Sequence, residues 1–410
     1  MMSNLGFLLY LLFIFSWFIH LTSRLTFLGN IRFDLLLICS IFVLSLIFKN
    51  SSAKYSGHET TNSIMILMLY VIVTIPFVEW PGSVINNIEN WLKSLAFYYF
   101  TVTLINTEKR LRIFIYTFIL VQTIRVIEPL YLHVTEGYWG SYASMQNWEY
   151  MYRLAGAPHD IINPNGLAFV ILTIIPFVYF LSGLSVANKI YFIMITPALI
   201  YALMLTGSRS GMIGFFAIAI MIVCYSKKKL MLLGVMVTLA VIFVINMPEA
   251  MKDRYISIID PSTSHSGTAE GRVSGIIDDI ELSLRRPVFG HGLGTSLEAG
   301  AHYGNRYQIS HNLYAEILIE LGIMGLIIFI SYICHIVKNM INTAKIIENK
   351  ETNNYYFISL KKGMMTWIVM NIIFSFASYG LSSYEWYLFG GLSVVLLRLC
   401  NMPEFKAAIA

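Results

Sequence analysis

The sequence predicts an all-α, polytopic integral membrane protein, and three observations carry that prediction. Of 410 residues, 57% are hydrophobic and only 12% charged, against about 25% charged in soluble domains. The apolar residues fall in blocks long enough to cross a hydrocarbon core of roughly 30 Å, which takes about 20 residues of helix. The blocks are continuously apolar rather than alternating, which argues against a transmembrane β-barrel. Mean hydropathy is +0.67.

About twelve spans are expected in order, near 5–20, 34–49, 64–79, 91–106, 111–130, 166–185, 190–206, 211–226, 230–246, 313–337, 360–378 and 385–400. The first, Leu5 to Ile19, reads as a span rather than a cleavable signal, because no basic stretch precedes it and no small-x-small site follows. One set of connections is rich in lysine: Lys49 and Lys54, Lys109 to Arg112, Lys189, Lys227 to Lys229, and Lys338 to Lys362. By the positive-inside rule that side is cytoplasmic. An even span count then puts both termini inside and two long loops, 131–165 and 247–310, outside. The whole chain, 1–410, reads as one membrane domain with a loop cap.

The outer loops differ in kind from the inner ones. They hold His133, His159, His265, His291, His302 and His311, and their basic residues are mostly arginine: Arg153, Arg254, Arg272, Arg285, Arg286 and Arg306. Arginine outside is not explained by topology, and bidentate recognition of phosphate or carboxylate is its usual use. Within the second loop Val273, Ile276, Ile277, Ile280 and Leu284 recur at helical spacing until Pro287 stops the pattern. That describes an amphipathic helix on the membrane or over the spans. The four cysteines lie in or beside apolar blocks, so no disulfide framework is suggested. No His-Glu-x-x-His or paired-Asp pattern suggests a metal. The net charge of +5 is too modest to point to nucleic acid.

Four segments could carry chemistry. Ser310-His311-Asn312-Leu313-Tyr314 puts a histidine at the mouth of an apolar helix, where Ser310 or Asn312 would cap and hold His311 on the first turn. Histidine exchanges a proton near neutral pH, although an interfacial histidine in a cap would look the same. Thr206-Gly207-Ser208-Arg209-Ser210-Gly211 holds an arginine between two spans, costly unless paired, in a Gly-Ser setting that suits an anion. Its bland reading is a snorkelling helix anchor. Arg272 stands at the expected start of the loop helix, where backbone N–H groups and a guanidinium together suit phosphate. An exposed ion pair with Glu270 or Asp279 is the alternative. Arg153 precedes an Asn163-Pro164-Asn165-Gly166 turn that reads as a helix cap.

Two further features are structural in first reading. Pro287 to Gly294 is glycine-rich without a nucleotide-loop lysine and reads as a tight turn back to the membrane. Gly322 and Gly325 permit close helix packing, and Glu316 and Glu320, one turn apart, could orient a ring or cap another helix.

In this order the segments resemble the bacterial O-antigen polymerase and O-antigen ligase superfamily. The matching pieces are Arg153 before Asn163 to Asn165, the Arg209 segment, Gly271-Arg272 with its amphipathic helix and Phe289-Gly290-His291-Gly292, and His311-Asn312 followed by Gly322 and Gly325. They cover roughly 150–330. The resemblance implies transfer of a glycan from undecaprenyl diphosphate to an acceptor glycolipid hydroxyl at the periplasmic face of the bacterial inner membrane, with inversion and without a metal or other cofactor. It implies His311 as general base and Arg209 and Arg272, with Arg153 beside them, as ligands of the diphosphate. Asn312 and either His291 or His302 would be auxiliary, with His302 favoured. Membrane lipids and a chain-length regulator complete the partners it suggests.

The rather short second loop and the Ser-His-Asn-Leu-Tyr wording favour a polymerase, with the ligase as alternative. A polytopic lipid or glycan transporter would instead place charged residues near mid-membrane in paired, discontinuous helices. Here the unusual residues gather on one face.

Overall fold

A computed structural model describes residues 2–47, 57–140, 152–245, 252, 267–304, 310–349, 354–378 and 380–402. They form helices α1 (Met2–Ile19), α2 (Phe33–Ile47), α3 (His58–Thr74), α4 (Pro81–Leu104), α5 (Glu108–Glu136), α6 (Pro164–Leu181) and α7 (Val186–Leu205). Then follow α8 (Arg209–Tyr225), α9 (Lys229–Ile245), α10 (Gly267–Arg285), α11 (Ser296–Tyr303), α12 (Leu313–Asn349), α13 (Tyr355–Phe374) and α14 (Glu385–Asn401). No strand occurs among the described residues. Each expected apolar block overlaps one of these helices. By length and composition, six are fit to cross a membrane: α3, α5, α6, α7, α12 and α13. α1, α2, α8 and part of α9 are apolar but shorter.

Local sequence explains where the helices begin. Thr107, Asn163, Ser185, Ser208 and Asn354 each accept a backbone N–H three residues on, as N-caps do. Pro164 at the first position of α6 is pre-set for the helix and gives up an N–H that would have no partner.

Buried at every position from Trp386 to Cys400, α14 is a central helix, which explains its lack of a polar face. It packs on α4 and α12, while α13 packs on α6 and α8. Apolar burial does little to join helices in lipid, so close backbone approach matters. A Cβ at Gly390 would lie 1.9 Å from the Tyr332 hydroxyl, and one at Gly214 would lie 2.6 Å from Leu172. Trp367 stacks on Phe389 at 3.6 Å and donates its indole N–H to Thr173 at 3.2 Å. Arg398 reaches Val102 and Ile105 carbonyls at 2.9 and 2.7 Å and closes the C-terminal end of α4.

The α12 helix is broken at Gly322, which has φ 65° and ψ −170°. This corrects the expectation that Gly322 serves helix–helix packing. A Cβ there would meet the Val288 carbonyl oxygen at 2.3 Å, and one at Gly290 would meet the Glu320 carbonyl at 2.4 Å. The break and the glycine-rich turn are therefore two halves of one joint. His291 and Gly292 donate backbone N–H groups to the Ile319 and Glu320 carbonyls at 2.8 and 2.9 Å. Ile323 donates to Pro287 at 2.8 Å, and the Tyr70 hydroxyl donates to Leu321 at 2.7 Å. The backbone groups released by the break are thus satisfied by the loop.

Its polar side, not its apolar stripe, attaches α10 to the bundle. Asp279, Leu282 and Ser283 are buried, whereas Ile277, Ile280 and Leu284 are exposed. Three residues of the apolar stripe read from the sequence, Ile277, Ile280 and Leu284, thus face away from the protein, and Ile276 is half-buried. The helix is already formed from Gly267, so Arg272 lies beyond its first turn rather than at its N-terminal end. That removes the argument from helix N–H groups. The Arg272 side chain falls outside the described residues.

Candidate active site

A cavity of about 260 Å³, lined by polar and apolar residues together, lies among the starts of α6 and α14, the end of α13 and the residues just before α12. His311, Asn163, Asn165, Arg125, Asn371 and Glu385 are among its lining residues. His311 is half-buried and sits just outside α12, not on its first turn, because Asn312 is the cap. Asn312 Oδ1 accepts the Tyr314 and Ala315 N–H groups at 2.9 and 3.2 Å. The residue before His311 is also fixed: Ser310 Oγ donates to buried Asp279 on α10 at 2.7 Å. The histidine is therefore held from both neighbours, by helix α12 on one side and by helix α10 on the other.

Two of the expected residues, Arg153 and Arg209, belong to one junction that Asn165 and Ser208 complete. Arg153, buried, donates to the Thr206 carbonyl at 2.7 Å and to Asn165 Oδ1 at 2.9 Å. Ser208, the cap of α8, donates to the same Asn165 oxygen at 2.8 Å and accepts the Gly211 N–H at 3.1 Å. Arg209, the first residue of α8 and itself buried, follows directly. Gly211 has to be small here, since a Cβ would lie 2.9 Å from Ala168 on α6. Arg153 thus fastens the Arg209 turn to the start of α6. Neither arginine is among the residues that line the cavity, while Asn165, which joins them, is.

The two glutamates in the first turns of α12, Glu316 and Glu320, act on backbone. Glu316 accepts the Gly380 and Leu381 N–H groups at 2.8 and 3.3 Å, holding the segment that forms the cavity floor. Glu320 accepts the Gly294 N–H at 2.7 Å and the Ser296 N–H at 3.4 Å, fixing the start of α11.

His291 and His302 stand elsewhere, and neither lines the cavity. The His291 ring is buried, with Nδ1 2.7 Å from Glu79 and Nε2 3.2 Å from the Leu282 carbonyl, and it stacks on Trp80. His302 is exposed and meets Trp80 edge-on at 6.0 Å. Glu79 lies past the end of the third span (His58–Phe77). Burial alone would raise its pKa, but hydrogen bonds from Tyr303 and His291 and the charge of Arg286 outweigh that and hold it below the usual carboxylate value. This cluster clamps the second loop to the α3–α4 turn.

Some cavity residues were not evident from sequence. Arg125 sits inside a block read as a span, and buried Asp160 grips it from both oxygens. An ionisable residue inside an apolar block is itself a functional signal. Asn371 and Glu385 had no such mark. Among the described residues no group of three His, Cys, Asp or Glu side chains gathers as metal ligands would.

Fold and site together define a helical membrane protein with several apolar helices and a cavity, with His311 in its wall, where its helices begin and end. Residues 192–330 match a family model described as O-antigen ligase, so this part of the chain is similar to that family, and the likeness supports a kinship with the O-antigen ligase and polymerase superfamily and a role in O-antigen assembly. The match contains Arg209, Arg272, His291, His302 and His311, and leaves out Arg153. No curated protein matches the chain.

Proposed function

We propose that the protein is a membrane glycosyltransferase that moves a glycan from undecaprenyl diphosphate to an acceptor sugar hydroxyl, with His311 as general base. The carrying observation is that His311, held from both sides, lines the same cavity as Asn165, the residue that ties Arg153 to the Arg209 turn. The O-antigen ligase match over 192–330 supports the reaction class.

The acceptor oxygen attacks the anomeric carbon while His311 takes its proton. The bond from that carbon to the diphosphate breaks, and its electron pair leaves on the diphosphate. A positioned base contributes about 10²–10⁴-fold. Guanidinium groups, those of Arg209 and Arg272 in this reading, stabilise the charge that gathers on the leaving group. Attack opposite the leaving group inverts the anomeric centre. Twelve spans, an inner-membrane location and a periplasmic site belong to the same reading, as do an acceptor glycolipid and a chain-length regulator.

The polymerase is the first reading, on the short second loop and the Ser310 to Tyr314 wording; the ligase is the second, favoured by the family description. Gene deletion followed by gel analysis of surface glycan separates them. Loss of long chains with one repeat unit still on the core indicates a polymerase. Loss of all attached glycan, with lipid-linked polymer accumulating, indicates a ligase. Unchanged glycan removes both.

A further inference from the structure

We infer that the cavity beside His311 is a subsite for an uncharged, hydroxyl-bearing sugar unit, read by the side-chain amides of Asn165 and Asn371. The inference rests on the glycosyl-transfer reading above and adds which part of the substrate this cavity holds.

Asn165 is the first ground. Its Oδ1 receives hydrogen bonds from both Arg153 and Ser208. With the oxygen fixed by two donors, the orientation of the amide is not ambiguous, and its Nδ2 amino group lies on the other side, away from the two donors. A primary amide offers two N–H donors there. Because Asn165 lines the cavity, Arg153 acts on this pocket through the amide, as a positioning residue.

Asn371, near the end of α13, is the second. It is 3% exposed and lines the same cavity, and its Nδ2 has no hydrogen-bond partner among the described residues. Glu385, also lining, has one buried carboxyl oxygen in the same condition. Buried polar atoms are ordinarily paired, and one left over at a cavity calls for an occupant. The two leftovers are a donor and an acceptor. The amide torsion is broad and two-fold, so a small rotation brings either amide atom to bear. A sugar hydroxyl both donates and accepts and can answer both.

Charge decides against a diphosphate in this cavity. Arg125 is the sole lysine or arginine among the lining residues, and Asp160 already takes it through both carboxylate oxygens. Glu385 adds a carboxyl group to the wall. An anion would meet a neutralised guanidinium and a carboxyl, whereas amides and serine hydroxyls such as Ser375 suit neutral hydroxyls. An acidic sugar is disfavoured for the same reason.

The test uses the full-length protein in lipid nanodiscs and two probes: undecaprenyl diphosphate carrying the source organism's own repeat unit, and bare undecaprenyl diphosphate. Asn165→Asp keeps an oxygen for Arg153 and Ser208 but replaces the amino group. Asn371→Ala tests the opposite wall, in case the first variant is unstable by thermal unfolding. Each substitution is expected to weaken the glycan-bearing lipid about tenfold, the scale of one lost hydrogen bond, and Asn371→Ala to change the bare lipid less than twofold. Equal weakening of both lipids, or of neither, would overturn the sugar subsite. So would a wild-type protein that binds the two lipids equally well. A wild type that binds neither lipid would instead overturn the lipid-linked donor itself, and the subsite with it.

Discussion

Arg153 Nη2 donates to Asn165 Oδ1 at 2.9 Å, and Ser208 Oγ donates to that same oxygen at 2.8 Å. One amide oxygen therefore joins the segment between α5 and α6, the start of α6 and the Arg209 turn. Residues that share a partner do not act independently. Substituting Arg153 and Asn165 by alanine, singly and together, should give a double variant little worse than the poorer single one. Product formed at equal protein level measures this, with each single variant falling about tenfold or more. Fully multiplicative losses would separate the two residues.

Gly322 and Gly290 should tolerate no side chain. Gly322→Ala adds a Cβ 2.3 Å from a backbone oxygen at a residue with φ 65°. Left-handed strain alone is of order 1–3 kcal/mol, and the contact adds to it. The expected result is a lower thermal midpoint and faster proteolysis of the Pro287–Gly294 turn. Gly82→Ala, with nothing within 4 Å of its Cβ, is the control and should leave both unchanged.

Glu316 should matter as an acceptor, not as a charge. Glu316→Ala leaves the Gly380 and Leu381 N–H groups without their partner. Unsatisfied buried groups cost about 1–3 kcal/mol each. Glu316→Gln keeps an amide oxygen in place. Thermal unfolding and product yield should both suffer in the alanine variant and largely recover in the glutamine one. Equal loss in the two would show that the carboxylate charge is what matters.

The Glu79 clamp should release in acid. Its pKa is depressed in the folded protein from an ordinary value of 4.5. A group lowered on folding contributes stability in full above its unfolded pKa and loses it as pH falls through the folded one. Protection of α11 and the neighbouring turn, after correction for the intrinsic pH dependence of amide exchange, should therefore be full above pH 4.5 and fall as the pH drops below it. Glu79→Gln should exchange quickly throughout and lose the pH step.

Much of this fold is legible in the sequence because hydrophobic runs and caps are local. The apolar blocks mark the helices, Asn163, Ser208 and Asn312 mark where three of them begin, and Pro287 marks the end of the loop helix pattern. What is hidden depends on which faces meet across the chain. Glu79 and His291 are 212 residues apart, and nothing near either announces the other. The same distance problem hides Arg125 with Asp160, and it hides Asn371 and Glu385 as cavity residues. The loop helix was recognised by its apolar stripe, yet its buried side follows from Asp279 reaching Ser310, a contact that periodicity does not encode.

The central claim is that His311 takes the proton from the acceptor hydroxyl. Its most direct test is the glycan made by His311→Ala in a deletion strain, with inserted protein matched to wild type. The base role predicts a fall of at least about 10²-fold in transferred glycan. Near-normal glycan chains from the alanine variant would contradict it.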